Sequence, residues 1–182
     1  MHAWRTLESQ LVYRSPVLEV KRCIKSHPRR EAPHEFVTLH SSDWVNLVAL
    51  TPREKMVLIR QYRQGCERVT LEIPGGMVDP GESPEQAAAR ELWEETGYQA
   101  QSLRFLGRVN PNPALFDNTC HTFLASGARR VSRQHLDETE DIEVLEMDPA
   151  RVAELVRTGE LDHSLVVAAL CFFWLERGSL AP

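Results

Sequence analysis

Three glutamates on one predicted helix are the side chains best placed to do chemistry. Glu91, Glu94 and Glu95 stand at i, i+3 and i+4, so on a helix they point the same way. Like charges at these spacings destabilise a helix by roughly 0.2–0.5 kcal/mol per pair. Carboxylates gathered on one rigid face suit a hard divalent cation, because Mg²⁺ prefers oxygen ligands. Taken alone, the three could equally form a solvated acidic face relieved by Arg90.

Capping residues in the sequence indicate where this helix begins and ends. Ser83 is a good N-cap, and Gln86 three residues later completes a capping box. Pro84 falls at the first helical position, where its missing N–H costs nothing. Gly97 supplies the left-handed residue that commonly follows a last turn. These features predict a helix from about Pro84 to Thr96.

The segment from Gly76 to Tyr98 resembles a complete Nudix box, the signature of the Nudix hydrolase superfamily. Tyr98 stands where a bulky apolar residue is usual. Flanking segments at 60–63, 71–76 and 138–144 resemble those of ADP-ribose pyrophosphatases and other nucleoside diphosphate sugar hydrolases, whereas the N-terminal residues match weakly. The defining box positions are all filled, by Gly76, Glu82, Arg90, Glu91, Leu92, Glu94, Glu95 and Gly97.

The resemblance implies a metal site built on the box. Glu91 and Glu95 would be the core ligands, and Glu94 would be a further ligand or position a metal-bound water. The backbone carbonyl of Gly75 would complete one site, and Arg90 would orient the glutamates through an ion pair. The cofactor would be Mg²⁺, with Mn²⁺ as the alternative.

An acidic segment further along the chain is the predicted source of the general base. A water must be deprotonated and aimed at phosphorus as well as bound to metal. Matching the motif of the similar enzymes makes Glu138 the favoured base and Glu140 an additional metal ligand, with Glu143 as the alternative base. Without the box, these residues would be taken for a charged surface loop, and the division of roles among them stays open.

Substrate contacts are expected from four further residues. Arg63 is predicted to bind a phosphate or the terminal ribose, because a guanidinium matches phosphate oxygens bidentately. Glu72 and Trp44 are candidates for ribose or base contacts, although Trp44 could equally be core. Pro113 fits a proline found beyond the box in ADP-ribose-type members, but it lies in Asn-Pro-Ala where many have Ser-Pro-Gly. This departure leaves the sugar open.

Composition narrows the class of protein. The 182 residues carry a net charge of −5, which gives no basic footprint for nucleic acid. The longest apolar run, Leu165–Leu175, is too short to cross a bilayer. The start lacks the apolar core of a signal peptide. We therefore expect a cytoplasmic protein with no nucleic-acid or membrane partner and with reduced, core or semi-buried thiols at Cys23, Cys66, Cys120 and Cys171.

Apolar alternation and turn residues predict an α/β protein, which the resemblance refines to a Nudix α/β/α sandwich with a mixed central sheet. Residues 1–43 are expected to form a small antiparallel β unit for dimerisation and the substrate side, and 44–182 the Nudix hydrolase domain. That unit is too small to stand alone, so it must pack on the main domain or on a partner subunit. The resemblance to similar pyrophosphatases implies a homodimer in which Val12, Leu18 and Val20 pack on the partner. Predicted strands are 11–13, 17–21, 35–40, 45–50, 56–60, 69–73, 103–109, 120–125 and 142–146, with helices at 84–96, 149–157 and 164–176.

The sequence thus predicts metal-dependent hydrolysis of the pyrophosphate bond of a nucleoside diphosphate sugar, with ADP-ribose giving AMP and ribose 5-phosphate. One alternative is a broader hydrolase that acts on sugars such as GDP-mannose or ADP-glucose. Another is a non-catalytic Nudix domain that senses a nucleotide sugar, although such modules should have eroded boxes and an attached DNA-binding domain. A third is a triphosphate or diadenosine polyphosphate hydrolase, which the N-terminal unit and the Glu138 loop argue against.

Overall fold

A computed structural model describes residues 2–178. The chain divides into two compact units. One contains the residues up to Ser42 together with Asn110–Thr119, and the other contains Asp43–Val109 together with the residues from Cys120 onward. The segment 110–119 thus belongs with the N-terminal residues although it lies far from them in sequence.

The first unit is an antiparallel sheet of three strands, β1 (Arg5–Arg14), β2 (Glu19–Ser26) and β3 (His34–His40), with β2 in the middle. This confirms the predicted small antiparallel β unit, with longer strands than expected. All ten residues of β1 are exposed. The segment 110–119 joins β3 through Leu39, whose N–H donates to the carbonyl of Leu115 at 2.8 Å.

The second unit is built on a seven-stranded mixed sheet. Its path runs β12–β5–β4–β10–β9, with β6 added to β5 and β7 added to β4. Strands β4 and β10 run parallel, and the other pairs are antiparallel. A separate two-stranded ladder joins β8 and β11. The strands are β4 (Trp44–Leu50), β5 (Met56–Arg63), β6 (Arg68–Glu72), β7 (Gly75–Met77), β8 (Tyr98–Gln99), β9 (Ser102–Val109), β10 (Cys120–Ser126), β11 (Arg129–Arg130) and β12 (Ile142–Met147).

Three helices cover the two faces of this sheet: α1 (Pro84–Thr96), α2 (Pro149–Thr158) and α3 (Ser164–Glu176). Successive residues of a strand face opposite sides, and β4 accordingly serves two cores. Leu47 packs in the cluster that contains Leu92 of α1, and Val48 packs in the cluster that contains Phe173 of α3. The predicted α/β/α sandwich with a mixed central sheet is confirmed.

Several local features differ from the prediction. The strands β7, β8 and β11 were not expected, because each has only two or three residues. All four cysteines are unpaired thiols, but Cys66 is exposed rather than core or semi-buried, because it lies in the turn between β5 and β6. No helix within residues 2–178 is long and apolar enough to cross a membrane.

Candidate active site

The box helix α1 begins and ends at the residues that the sequence predicts. The Ser83 hydroxyl accepts the Gln86 N–H at 3.2 Å, and the Gln86 side chain accepts the Ser83 N–H at 2.9 Å. At the other end Gly97 adopts φ 74° and donates its N–H to the Trp93 carbonyl at 2.8 Å. Fixed ends make the helix a rigid support for the glutamates along it.

Arg90 gathers the carboxylates of the box. Its Nε and Nη2 donate to the two oxygens of Glu82 at 3.1 and 2.9 Å, and Nη2 also donates to the Met77 carbonyl at 2.9 Å. Its Nη1 donates to Glu91 at 2.9 Å and to Glu94 at 3.0 Å. These bonds, led by those to Glu82, raise the pKa of Arg90. The structure thus contains the ion pair that was expected to orient the glutamates.

Two glycines of strand β7 bring the backbone against Glu91 and Glu95. The Gly75 N–H donates to Glu95 Oε2 at 2.8 Å, and a Cβ on Gly75 would lie 2.3 Å from the Val45 carbonyl oxygen on β4. A Cβ on Gly76 would lie 2.3 Å from Glu91 Oε1. At these two positions of β7, only glycine fits between β4 and the box glutamates.

The carboxyl groups of Glu91 and Glu95 are largely removed from water. Glu95 is 3% exposed, and burial raises its pKa well above the ordinary glutamate value. Burial also raises the pKa of Glu91, although Arg90 acts in the opposite direction. A buried carboxylate needs an opposite charge or must become neutral, so the pair fits the donor set of a divalent cation. Within residues 2–178, no three acidic, imidazole or thiol groups are close enough together to form a metal site.

The acidic loop at 137–141 is exposed throughout. The Glu140 carboxylate accepts the Asp137 N–H at 3.0 Å, and the Glu140 N–H donates to the Asp137 carbonyl at 3.0 Å. The charge of Glu140 also raises the pKa of both Glu91 and Glu95. This loop therefore brings its negative charge towards the box.

The other two predicted loop residues differ in their surroundings. Glu138 is exposed within the same loop. Glu143 lies on β12 opposite Arg60 of β5, whose Nη1 donates to it at 3.2 Å. Both members of that pair are exposed. Glu143 thus already has a cationic partner.

A cavity of about 510 Å³ lies within the second unit beside β7. Four of the predicted site residues line it: Trp44, Arg63, Glu72 and Gly75. Trp44 is half-buried at the start of β4. Pro113 is exposed in the first unit, in a turn where the Asn112 carbonyl accepts the Phe116 N–H at 2.8 Å.

The guanidinium of Arg63 faces a protein carboxylate. Its Nε and Nη2 donate to the two oxygens of Glu72, both at 2.7 Å, and the Thr70 hydroxyl adds a third bond at 2.6 Å. Burial alone would raise the pKa of Glu72, but these bonds hold the pKa below its ordinary value. Two N–H groups of Arg63, which was predicted to bind phosphate or the terminal ribose, are therefore engaged with Glu72, because a carboxylate that is only 3% exposed needs a partner.

The cavity residues that the sequence did not predict include Asn46, Asp162 and His163. The Nε2 atom of His163 lies 4.0 Å from Glu72 Oε2 at the cavity wall. His121, by contrast, pairs with Asp43 at 3.0 Å. These three residues come from β4 and from the turn before α3. No short-range pattern joins these segments, and only knowledge of the sheet register could have found them.

Comparisons with known proteins agree with this geometry. The NUDIX domain family model matches residues 20–170. The chain is 29% identical over 173 residues to an ADP-ribose pyrophosphatase of Bacillus subtilis, covering 94% of this chain and 93% of that protein. It is 32% identical over 125 residues to the ADP compounds hydrolase NudE of Escherichia coli, covering 68% of this chain and 67% of that protein.

A solved structure described as a crystal structure of ADP compounds hydrolase superimposes with a TM-score of 0.84 at 25% sequence identity, covering 97% of each chain. Proteins of the Nudix class generally need divalent metal ions. The complete box, the sandwich fold and the match of the family model over 20–170 agree. The chain belongs to the Nudix family.

Proposed function

We propose that this protein is a Mg²⁺-dependent hydrolase that cleaves the pyrophosphate bond of nucleoside diphosphate sugars, with ADP-ribose as the main substrate and AMP and ribose 5-phosphate as products. The observation that carries the proposal is the complete box, whose Glu91 and Glu95 on α1 lie against the backbone of β7. Residues of β7 in turn line a cavity of about 510 Å³. Relatives named for ADP-ribose and ADP compounds support this substrate class.

The residues around β7 suit Mg²⁺, with Mn²⁺ as the alternative. Glu91 and Glu95 would be its core ligands, with the Gly75 carbonyl, Glu94 and Glu140 as additional donors. All are oxygen donors, which hard cations prefer. When bound, the metal polarises the phosphate oxygens and lowers the pKa of a bound water. Arg90 holds Glu91 and Glu94 in place through its Nη1.

Glu138 is our choice for the general base, with Glu143 as the alternative. An exposed carboxylate in the same loop as Glu140 can accept a proton from the attacking water at its Oε atoms and later release it to solvent. Arg60 already engages Glu143, which favours Glu138. Attack on phosphorus then breaks the P–O–P bridge and releases the two monophosphates.

The cavity is of the size that ordinary ligand pockets have, about 300–1,000 Å³. Trp44 offers an aromatic face to a base or ribose at its wall. Glu72 fixes Arg63 there, which leaves the remaining N–H groups of the guanidinium for phosphate or terminal ribose. Pro113 would shape the substrate side from the 110–119 segment.

We also propose a cytoplasmic homodimer in which residues 1–43 serve dimerisation and the substrate side, while 44–182 carry out hydrolysis. The fully exposed β1 includes Leu7, Leu11 and Val12, which are 47%, 44% and 62% exposed. Apolar side chains gathered on an exposed strand favour burial against a second copy. A monomer in analytical ultracentrifugation at micromolar concentration would contradict this.

The test of function is a product assay with purified protein and Mg²⁺. ADP-ribose, ADP-glucose, GDP-mannose, UDP-glucose, NADH, a diadenosine polyphosphate and dGTP are incubated in parallel. We expect AMP and ribose 5-phosphate from ADP-ribose at the highest kcat/KM. Similar rates on several nucleotide sugars would indicate the broad hydrolase. Pyrophosphate from dGTP would indicate a triphosphate hydrolase, and no cleavage at all would favour a sensor.

A further inference from the structure

The acidic loop at 137–141 is fastened to the end of the box helix by the residues just before it. Four carbonyls at a helix C-terminus lack partners within the helix. The His135 N–H donates to the Glu94 carbonyl at 2.8 Å, and Gln134 Nε2 donates to the Glu95 carbonyl at 2.7 Å. Two of the box glutamates thus have their own backbone carbonyls capped by one dipeptide.

Gln134 also reaches the far end of the loop. The same Nε2 donates to the carbonyl of Ile142 at 2.8 Å. Ile142 is 6% exposed and opens β12, where it pairs with Gln61 of β5. One amide group therefore joins three points of the chain: the last turn of α1, the start of the acidic loop and the strand that follows it.

The chain lies close to α1 throughout this region. The Gly97 carbonyl accepts the N–H groups of Val131 and Ser132 at 2.9 and 3.3 Å, and a Cβ on Gly97 would lie 2.3 Å from the Ser132 carbonyl oxygen. The His135 ring stacks on Trp93 with 4.1 Å between centroids. The segment 131–135 is thus fixed to the helix, whereas 137–141 is exposed.

We propose that Gln134 is a positioning residue, which holds the acidic loop at the distance from the box glutamates that hydrolysis requires. Seven residues separate Gln134 from Ile142. His135 is held against α1, and beyond it the loop has a local turn between Asp137 and Glu140. The amide clamp therefore limits where Glu138 and Glu140 can lie. Through Gln134, the loop that carries Glu138 and Glu140 is linked to the backbone carbonyl of Glu95. This proposal rests on the proposed hydrolase function.

The experiment is a double-mutant cycle with ADP-ribose and saturating Mg²⁺. Gln134→Met keeps the side-chain length but removes both donors, and it is made in the wild type and in a Glu138→Gln, Glu140→Gln background. In the wild type we expect kcat to fall about 10–100-fold, as for groups that orient catalytic residues, with KM changed less than about twofold. In the loop-neutral background we expect less than about a twofold fall, because residues that act through one another are not additive.

Gln86→Met is the matched control. It removes a glutamine that caps the opposite end of the same helix, so it weakens α1 without touching the loop, and kcat should stay near that of the wild type. If Gln134→Met is unfolded at the assay temperature, Gln134→Ala, which also removes both donors, enters the same cycle.

The outcomes separate this proposal from the proposed function. A wild type that cleaves ADP-ribose, with Gln134→Met equally active or equally impaired in both backgrounds, overturns the positioning role alone. A wild type that cleaves nothing overturns the proposed function. Hydrogen exchange then decides on Gln134: faster exchange of amides 137–142 in Gln134→Met supports the clamp, and unchanged exchange overturns it.

Discussion

The two groups of glutamates that we assign to catalysis lie in opposite environments. Glu91 and Glu95 are largely buried on a capped helix, in contact with Arg90 and with the backbone of β7. Glu138 and Glu140 are exposed in a loop. The first group loses hydration that a bound cation would replace, whereas the second keeps its hydration.

This difference indicates a division of work. Metal ligands need fixed geometry, which a rigid element supplies. A base that must take a proton from water and return it to solvent needs access to solvent. We therefore propose that α1 carries the core metal ligands and that Glu138 of the loop takes the proton, with Glu140 as an additional metal donor. Gln134 links the helix to the loop.

The largest expected effect is at the buried ligands. Glu91→Gln and Glu95→Gln should each lower kcat on ADP-ribose by about 10³-fold or more, because metal stabilisation of transition-state charge is worth several kcal/mol. Circular dichroism should show an intact fold. Glu85→Gln, at an exposed position of the same helix, is the control and should keep full activity. Near-normal kcat in Glu95→Gln would contradict the assignment of Glu95 as a metal ligand.

The second-largest expected effect on kcat is at Glu138 in the acidic loop. Glu138→Gln should lower kcat by about 10²–10³-fold, within the usual range for general base catalysis, and should leave Mn²⁺ affinity measured by calorimetry unchanged. Glu143→Gln should have little effect, since Arg60 already neutralises that carboxylate. The reverse result would transfer the base role to Glu143 and break the division between helix and loop.

A smaller effect is expected at the arginine that organises the box. Arg90→Lys keeps the charge, but one ammonium cannot reproduce the five contacts that the planar guanidinium makes. We expect kcat to fall about 10–100-fold. Arg60→Lys, at the exposed pair with Glu143, is the control and should leave kcat unchanged. Equal activity of both variants in the steady-state assay would mean that Arg90 does not orient the glutamates.

The smallest effect is on stability without metal. Burial raises the pKa of Glu95, so its contribution to stability is present at acid pH and is lost as pH rises through the folded-state pKa. Glu95→Gln should therefore be more stable than the wild type at neutral pH in chelator, by about 1–2 kcal/mol, or about 3–6 °C. Thermal melts at acid and neutral pH would show this advantage shrinking as pH falls. A less stable variant at neutral pH would contradict the burial argument.

Local sequence patterns predicted the box helix well because its ends are set by nearby residues. Ser83, Gln86 and Gly97 make their capping contacts within three or four positions. The strand β7 was missed, because Pro74 and two glycines look like the end of a strand, and its partner β4 lies about 30 residues earlier. Tyr98 stands where a bulky apolar residue is usual, and its hydroxyl donates a hydrogen bond to Glu146 Oε1 at 2.7 Å.

Contacts between distant segments could not be predicted in the same way. The pairing of Arg63 with Glu72 depends on the β5–β6 hairpin, and without it Arg63 looked free for phosphate. Gln134 carries no motif, since its two acceptors are backbone carbonyls 39 and 8 residues away. The acidic loop could be identified from its resemblance to similar enzymes, but the link that holds it to α1 could not.

The most direct test of the account is one reaction: purified protein with ADP-ribose, followed by product analysis before and after chelation of Mg²⁺. We predict AMP and ribose 5-phosphate in equal amounts, a stop on adding EDTA, and recovery when Mg²⁺ is restored in excess. Absence of AMP, or turnover that continues in EDTA, would contradict the proposal that the box glutamates serve a metal-dependent hydrolase of nucleoside diphosphate sugars.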